Sequence, residues 1–350
     1  MVPAPGDQAV LGTHPAWADN GAMGNTAVST DLISTAVELA GRAPSLHNSQ
    51  PWLWVLDGNT LQLHLDHSRL VRNTDHGARQ ALISCGAALD HLRVAAAAAG
   101  WQTFVDRFPD PNRPEHLVTV EFWPAGFVSA ATRARAAAIT QRRTDRLPMR
   151  APDDLNLLVP VLTHLLDDTD TRLAVLPELL LPDLFEASAL TEAMRRQDAG
   201  YVAELDWWTA PFDLDQGIPP DLLNGVIDND RVPVNRNFPA GVHASHTDVS
   251  ADEAAVLVLS TPEDTRADAL SCGEALSTVL LECTAAGLAT CTVSHVTELP
   301  AARAVVAELI GRSGVPQVLV RVGRAAGLTA PPTPTPRRGL SDILRVQRQK

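Results

Sequence analysis

Three stretches of this chain concentrate side chains able to do chemistry. The first is Ala43-Pro44-Ser45-Leu46-His47-Asn48-Ser49-Gln50-Pro51-Trp52, which follows a helical pattern ending near Arg42. Its polar side chains could present hydrogen-bonding groups to a planar heterocycle, with Pro44 and Pro51 stiffening the loop. The same residues would also serve a helix-to-strand turn whose Ser and Asn side chains satisfy their own backbone. The second stretch, Arg142-Arg143-Thr144-Asp145-Arg146, sets three guanidinium groups within five residues, where they could clamp a phosphate bidentately. Arginines near a helix C-terminus equally complement its dipole and face water. The third, Thr335-Pro336-Arg337-Arg338-Gly339-Leu340, follows a proline-rich connector and could complete an anionic site or form a solvated tail.

Other chemistries find less support. His64 and His67 lie three apart on a predicted strand and so point to opposite faces, and Asp75-His76 has no G-x-S-x-G partner. Cys85, Cys272, Cys283 and Cys291 form no C-x-x-C pair, and each sits in an apolar or small-residue setting that suits a buried hydrophobe. No G-x-G-x-x-G follows a predicted strand. The formal charge of -13 repels phosphate backbones, and no Lys/Arg-rich stripe offsets it, so nucleic acid is not expected as a partner. With 45% apolar and 20% charged residues the chain can bury a large core as a soluble globular protein. No uncharged apolar run reaches the roughly 18 residues of a membrane span, and the start lacks the pattern of a signal peptide. Residues 1–27 are expected to be a flexible tail, and the protein to be cytoplasmic without a membrane partner.

The elements that must position these stretches include an internal repeat. S-C-G-x-A-L occurs at Cys85 and again at Cys272, each followed after the same interval by A-A-G; 273 minus 86 is 187, and 287 minus 100 is 187. Both copies have apolar residues at helical spacing and close on a glycine, which predicts two equivalent buried helices in a duplicated chain. In the first half, WLWVLDGNTLQLHLD alternates on both sides of Asp57-Gly58, a hairpin pattern, and strand-like stretches run from Phe104 to Phe108 and from His116 to Trp123. In the second half, buried strands are expected from Ala254 and over Val318 to Val322, and an Ala-rich helix from Ala130 to Arg143 joins the halves. The expected division is 28–135 and 136–350, with a Pro-, Gly-, Asn- and Asp-rich insertion over about 200–252 that could act as a lid.

On these motifs the chain resembles the nitroreductase family, and in more detail its Acg-like mycobacterial group, over roughly residues 28 to 345. A-P-S-x-x-N-x-Q-P-W looks like that family's N-terminal flavin loop, R-R-T-D-R like its R-R-S-x-R phosphate-binding opening, and P-R-R-x-L like its closing arm. The resemblance implies an α+β nitroreductase-like fold with FMN as cofactor and NAD(P)H as reductant. It also implies that Arg142, Arg143 and Thr144 hold the phosphate and ribityl chain, with Arg337 or Arg338 adding charge nearby. Pro44, Ser45, His47, Asn48 and Gln50 would approach the ring from the other half. Thr292 to Ser294 would supply its N5 edge, and Arg195 and Arg196 are further candidates.

An ordinary family member carries both the loop and the arginine opening in every subunit. Each occurs once here, so the two fused halves are expected to form an intrachain pseudo-dimer with a single FMN site, and the chain to be a monomer. The small-molecule partners implied are FMN, a nicotinamide and a nitroaromatic or quinone acceptor. Two function classes follow: an NAD(P)H-dependent flavin oxidoreductase, or a protein that stores FMN beneath the 200–252 lid with little turnover.

Overall fold

The computed structural model describes residues 28–210, 217–223, 230–239, 249–327 and 334–347. The 1–27 tail and parts of the expected 200–252 insertion lie outside them.

Helix α1 (Thr30–Ala40) starts where the Ser29 hydroxyl accepts from the Leu32 N–H, and it buries Ile33, Ala36, Val37 and Ala40 on one face. The chain then turns into a hairpin of β1 (Trp52–Asp57) and β2 (Thr60–Leu65). Its register pairs Asp57 with Thr60, so the two central residues are Gly58 and Asn59, one position later than the sequence pattern suggested. Gly58 has φ +57°, the backbone sign that a tight hairpin turn needs at its first central residue. Strand β2 ends at Leu65, so His67 falls in a 3-10 turn, while His64 stacks on His116 at 4.7 Å between ring centroids.

The repeated segments form α2 (Arg79–Ala98) and α7 (Arg266–Ala285), each of 20 residues and each followed by a glycine with positive φ, Gly100 and Gly287. The helices meet where a side chain would not fit. A Cβ on Gly86 would lie 2.0 Å from the Leu270 carbonyl oxygen, and one on Gly273 would lie 2.1 Å from that of Ile83. Ile83 and Leu270 are separated by the same 187 positions as the two glycines (270 minus 83), so equivalent atoms of the repeat meet one another. Removing both side chains lets the backbones close and buries α2 along nearly its whole length. Although α2 is long and apolar enough to pass for a membrane span, it is a core helix here.

Around this pair lie two sheets. The first has the order β3-β4-β2-β1-β9, with β3 (Trp101–Arg107), β4 (His116–Pro124) and β9 (Leu344–Gln347). The second has the order β5-β6-β8-β7, with β5 (Arg172–Val175), β6 (Ala255–Thr261), β7 (Ala289–Val293) and β8 (Val315–Gly323). All pairings are antiparallel except β1 with β9. One hydrophobic cluster runs from α1 and the first sheet through α2 and α7 to β6 and β8. A smaller one lies between the second sheet and the helices α5 (Leu181–Arg195) and α8 (Pro300–Leu309).

Helix α3 (Ala130–Gln141) packs on both α2 and α7, so the division expected at 135/136 falls inside one continuous helix. The remaining helices are α4 (Leu155–Leu165), α6 (Ala199–Trp208) and a short α9 (Leu340–Ile343). The C-terminal arm, expected with the second half, crosses back and adds β9 to the first half's sheet beside β1.

Candidate functional site

The three stretches converge on one cavity of about 560 Å³. Its floor is apolar, from Ile83 of α2, Leu276 of α7 and Val318 of β8. Pro44, Ser45, His47 and Asn48 line it from the first half, Arg142, Arg143 and Thr144 from the segment after α3, Thr292 and Ser294 from β7 and its continuation, and Arg337 from the C-terminal arm.

The loop after α1 is held in an unusual backbone conformation. His47, Asn48 and Gln50 have φ of 49°, 58° and 52°, a left-handed region costing about 1 kcal/mol or more per residue with a Cβ. Several hydrogen bonds hold it there. Asn48 Nδ2 donates to the Gly217 carbonyl at 2.9 Å and to that of Pro336 at 3.0 Å, and Asn48 Oδ1 accepts from Arg337 Nη1 at 3.1 Å. The Leu46 N–H donates to Ser84 Oγ of α2 at 3.3 Å, and the Gln50 N–H to Ser45 Oγ at 3.0 Å.

Gln50 and Arg338 do not line the cavity. Gln50 Oε1 accepts from the Arg338 N–H at 2.9 Å, and Arg338 Nη1 returns a bond to the Gln50 carbonyl at 3.1 Å and lies 3.4 Å from Asp66 Oδ2. They form a strut that fastens the arm to the loop, because Asp66 and the loop carbonyls capture the Arg338 guanidinium. Of the two arm arginines, Arg337 faces the cavity.

The segment after α3 lies along β7: Thr144 bridges Thr290, and the Asp145 N–H donates to the Thr290 carbonyl at 2.8 Å. Arg142 is the C-cap residue of α3, yet it is only 8% exposed, so the alternative of a solvated helix-end arginine fails for it. Arg143 is exposed and lies 3.3 Å from Asp145.

Arg142 and Arg337 share one acceptor with each other and nothing acidic. Arg142 Nη2 and Arg337 Nη2 both donate to the Arg42 carbonyl, at 3.2 and 3.4 Å, and Arg42 Nη2 donates to the Thr140 carbonyl at 3.4 Å. The Nε atoms of Arg42, Arg142 and Arg337 are all buried without a partner. Burial, then the Arg42 charge, pulls the Arg142 guanidinium down to about 10. Burial, then Arg142 and Arg42, pulls Arg337 down to about 9. No Asp or Glu is among the described residues lining the cavity. Buried cations are normally paired, and here no carboxylate among the described lining residues pairs them.

Elsewhere in the wall stand neutral and paired groups. His47 is 4% exposed and His295 1%, and burial first, with Arg236 next, holds both well below the ordinary imidazole range. Arg236 donates to Ser294 Oγ at 3.3 Å and to the Tyr201 hydroxyl at 2.6 Å, and forms an ion pair with Glu298. Phe238 stands edge-on to His47 at 5.9 Å, with the Arg146 guanidinium 5.3 Å from its ring centre. Cys291 also lines the cavity, but burial pushes its thiol up, which makes it a poor nucleophile.

Two expected residues lie elsewhere. Arg195 is buried against a second cavity, where it meets Glu298 at 3.3 Å and the carbonyls of Asn73 and Thr74 at 3.4 and 3.3 Å. Arg196 ends α5 and is exposed. The Glu298 carboxylate and the 73–74 carbonyls hold Arg195 away from the site. Among the wall residues not singled out from sequence are four with charged or ring side chains. Arg42 directly precedes the first motif, and His295 directly follows Ser294, so proximity could have flagged both. Arg236 and Phe238 belong to the aperiodic insertion, which offered no such signal.

The fold and cavity define an α+β protein whose paired central helices support a cavity lined by arginines from distant parts of the chain. The nitroreductase family model matches residues 128–324, from just before α3 through β8. The chain is 48% identical over 326 residues, 93% of its length and 98% of the relative's, to "Putative NAD(P)H nitroreductase acg" of Mycobacterium tuberculosis. It is 49% identical over 321 residues, 90% of its length and 93% of the relative's, to an uncharacterised protein of the same organism. Among solved structures, the FMN-dependent nitroreductase NfnB of Mycobacterium smegmatis in complex with NADPH is 19% identical, with 62% of this chain and 100% of that one covered and a TM-score of 0.38. The chain belongs to the nitroreductase family.

Proposed function

We propose that this protein is an NAD(P)H-dependent flavin oxidoreductase holding one FMN per chain between the two halves of a fused pseudo-dimer. The observation that carries this reading is the Arg42–Arg142–Arg337 cluster: three guanidiniums with buried, partnerless Nε atoms and no carboxylate partner among the described residues, which would suit a phosphate dianion. Family membership supports FMN as the phosphate-bearing ligand, and the name of the acg relative supports NAD(P)H as reductant. When bound, FMN supplies hydride and electron transfer to acceptors such as nitroaromatics or quinones.

The chain's own residues bind and orient. Arg142, Arg143 and Arg337 would take the phosphate, Thr144 the adjoining ribityl chain, and Pro44, Ser45, His47 and Asn48 the ring from the first half, opposite Thr292 and Ser294. The two families of contacts come from different halves, which supports a single complete site.

A second reading, FMN storage with little turnover, is favoured by one observation. The insertion forms part of the wall: Ile218, Leu222, Asn235, Arg236 and Phe238 line the cavity, and Asn48 binds the Gly217 carbonyl directly. A wall built over the ring would hinder a nicotinamide.

Flavin absorbance per purified chain, followed by anaerobic addition of NADPH and NADH, separates these readings. About one FMN per chain that bleaches rapidly is the expected outcome. One FMN that stays oxidised would favour storage, and two per chain would sink the single-site argument. Riboflavin, which lacks the phosphate, is expected to bind at least about 100-fold more weakly than FMN, given roughly 1.5–3 kcal/mol for each hydrogen bond to a charged group.

A further inference from the structure

His295 follows β7 and lines the cavity, with Nε2 2.8 Å from the hydroxyl of Ser188 on α5. Both residues are 1% exposed. The Ser188 hydroxyl makes no other hydrogen bond among the described residues. If it accepted from an Nε2–H, its own proton would be buried without a partner, at a cost of about 1–3 kcal/mol. Donation from Ser188 to Nε2 satisfies the hydroxyl and leaves the imidazole proton on Nδ1. Nδ1 is itself buried and has no partner among the described residues. A committed donor therefore stands in the wall of the cavity with no described residue to receive it.

We propose that His295 donates its Nδ1–H to a carbonyl oxygen of the bound flavin ring, with Ser188 as the positioning residue that sets the tautomer. The inference rests on the flavin reading of this cavity. Burial, with the Arg236 charge beside it, keeps the imidazole neutral, so the donor carries no charge to compete with the arginines for the phosphate. No proton is transferred; Nδ1 keeps its hydrogen throughout. A fixed donor stabilises the electron-rich reduced ring more than the oxidised one. The equivalent position of the repeat, 187 residues earlier (295 minus 187 is 108), holds Phe108, whose side chain has no donor.

The test compares wild type with His295→Phe, His295→Gln and Ser188→Ala, measuring FMN per chain, FMN affinity and the flavin midpoint potential. His295→Phe is expected to retain FMN through the arginines but to weaken binding of the reduced form about tenfold more than the oxidised form. That ratio lowers the potential by about 30 mV for a two-electron couple. His295→Gln, whose amide can still donate, is expected to recover part of the difference, and it carries the test if the phenyl ring does not pack. Ser188→Ala, which frees the tautomer, is expected to shift the potential in the same direction by less. An unchanged potential in FMN-loaded His295→Phe, or in FMN-loaded Ser188→Ala together with His295→Gln, would overturn the proposal and leave the flavin reading intact. A wild-type protein that takes up no FMN would overturn the flavin reading and this inference with it.

Discussion

Beside the cavity, the chain continuing from β7 carries Ser294; 187 positions earlier, at the end of β3, stands Arg107. Arg107 and Arg93 both reach the Glu274 carboxylate of α7, at 2.8 and 3.0 Å, and Glu274 replaces an alanine, Ala87, in the other copy of the repeat. One copy thus brings arginines to a buried carboxylate that the protein supplies, while the cavity gathers Arg42, Arg142 and Arg337 with no carboxylate. Similar helices carry both arrangements. The difference teaches that two equivalent helices of one repeat can carry opposite charge arrangements, one frame closed by the protein's own ion pairs and the other without a carboxylate among the described residues that line it. In a chain of net charge -13, three arginines gathered without an acidic partner among the described residues form a cluster that the protein's own charges leave unpaired.

The strongest way to break the comparison is at the contact both frames share. Gly86→Ala and Gly273→Ala each drive a methyl group against a helix carbonyl, so each should cost about 3 kcal/mol or more, at or above the upper end of ordinary overpacking. Similar losses from the two variants in denaturant melts would show that the contact is symmetric in energy as well as in geometry. A loss from one alone would end the equivalence.

Next in size is Arg142→Ala. It should weaken FMN about 100-fold in a fluorescence titration, at roughly 1.5–3 kcal/mol for a charge-assisted bond with loss of the buried charge. The ligand-free protein should not lose stability, because the charge removed has no carboxylate partner. A variant that binds FMN normally would place the phosphate elsewhere.

Glu274→Ala sharpens the contrast from the other side. It should destabilise by about 1–2 kcal/mol, less than a fully buried broken pair, because Arg93 and Arg107 are 41% and 40% exposed and can rehydrate. Flavin content should stay near one per chain, since the second frame also lacks the loop and the arginine opening. A rise toward two would mean that this one carboxylate is what closes the second frame.

The smallest effect concerns an arginine paired in the ordinary way. Hydrogen bonds from Arg303, then from Gln317, hold the Asp264 carboxyl down to about 2 against an ordinary 3.8. A depressed folded-state value means that the stabilisation is present above about 3.8 and is lost as pH falls toward 2. Because Asp264 is 43% exposed, the loss should stay below about 1 kcal/mol. Thermal melts of wild type and Asp264→Asn at pH 5, 3 and 2 should converge as the pH falls.

Much of this was legible in the amino-acid order. The S-C-G-x-A-L repeat marked α2 and α7 with their glycine ends, because helical periodicity and a positive-φ residue after the last turn are local properties. The hairpin, β6, β8 and α3 were likewise local, apart from shifts of a residue or two at α3 and the turn. Eight of the expected site residues that line the cavity (Pro44, Ser45, His47, Asn48, Arg142, Arg143, Thr144 and Arg337) already stood in dense polar or cationic clusters, whereas Thr292 and Ser294 came from the family resemblance. Gln50 and Arg338 belonged to the same motifs, but their side chains turn to each other. Arg195 and Arg196 carried no local signal that could separate a ligand from a strut.

Composition, periodicity and motif spacing by themselves pointed to an α+β chain with a repeated helix, and the family resemblance marked one loop and one arginine cluster as candidates for a flavin. Only the tertiary structure decided which arginines lack a carboxylate, that β9 returns to the first sheet, and that Arg236, Phe238 and His295 complete the wall. Whether a charge is paired depends on what the fold brings within a few ångströms from distant parts of the chain. Sequence spacing carries no information about that distance.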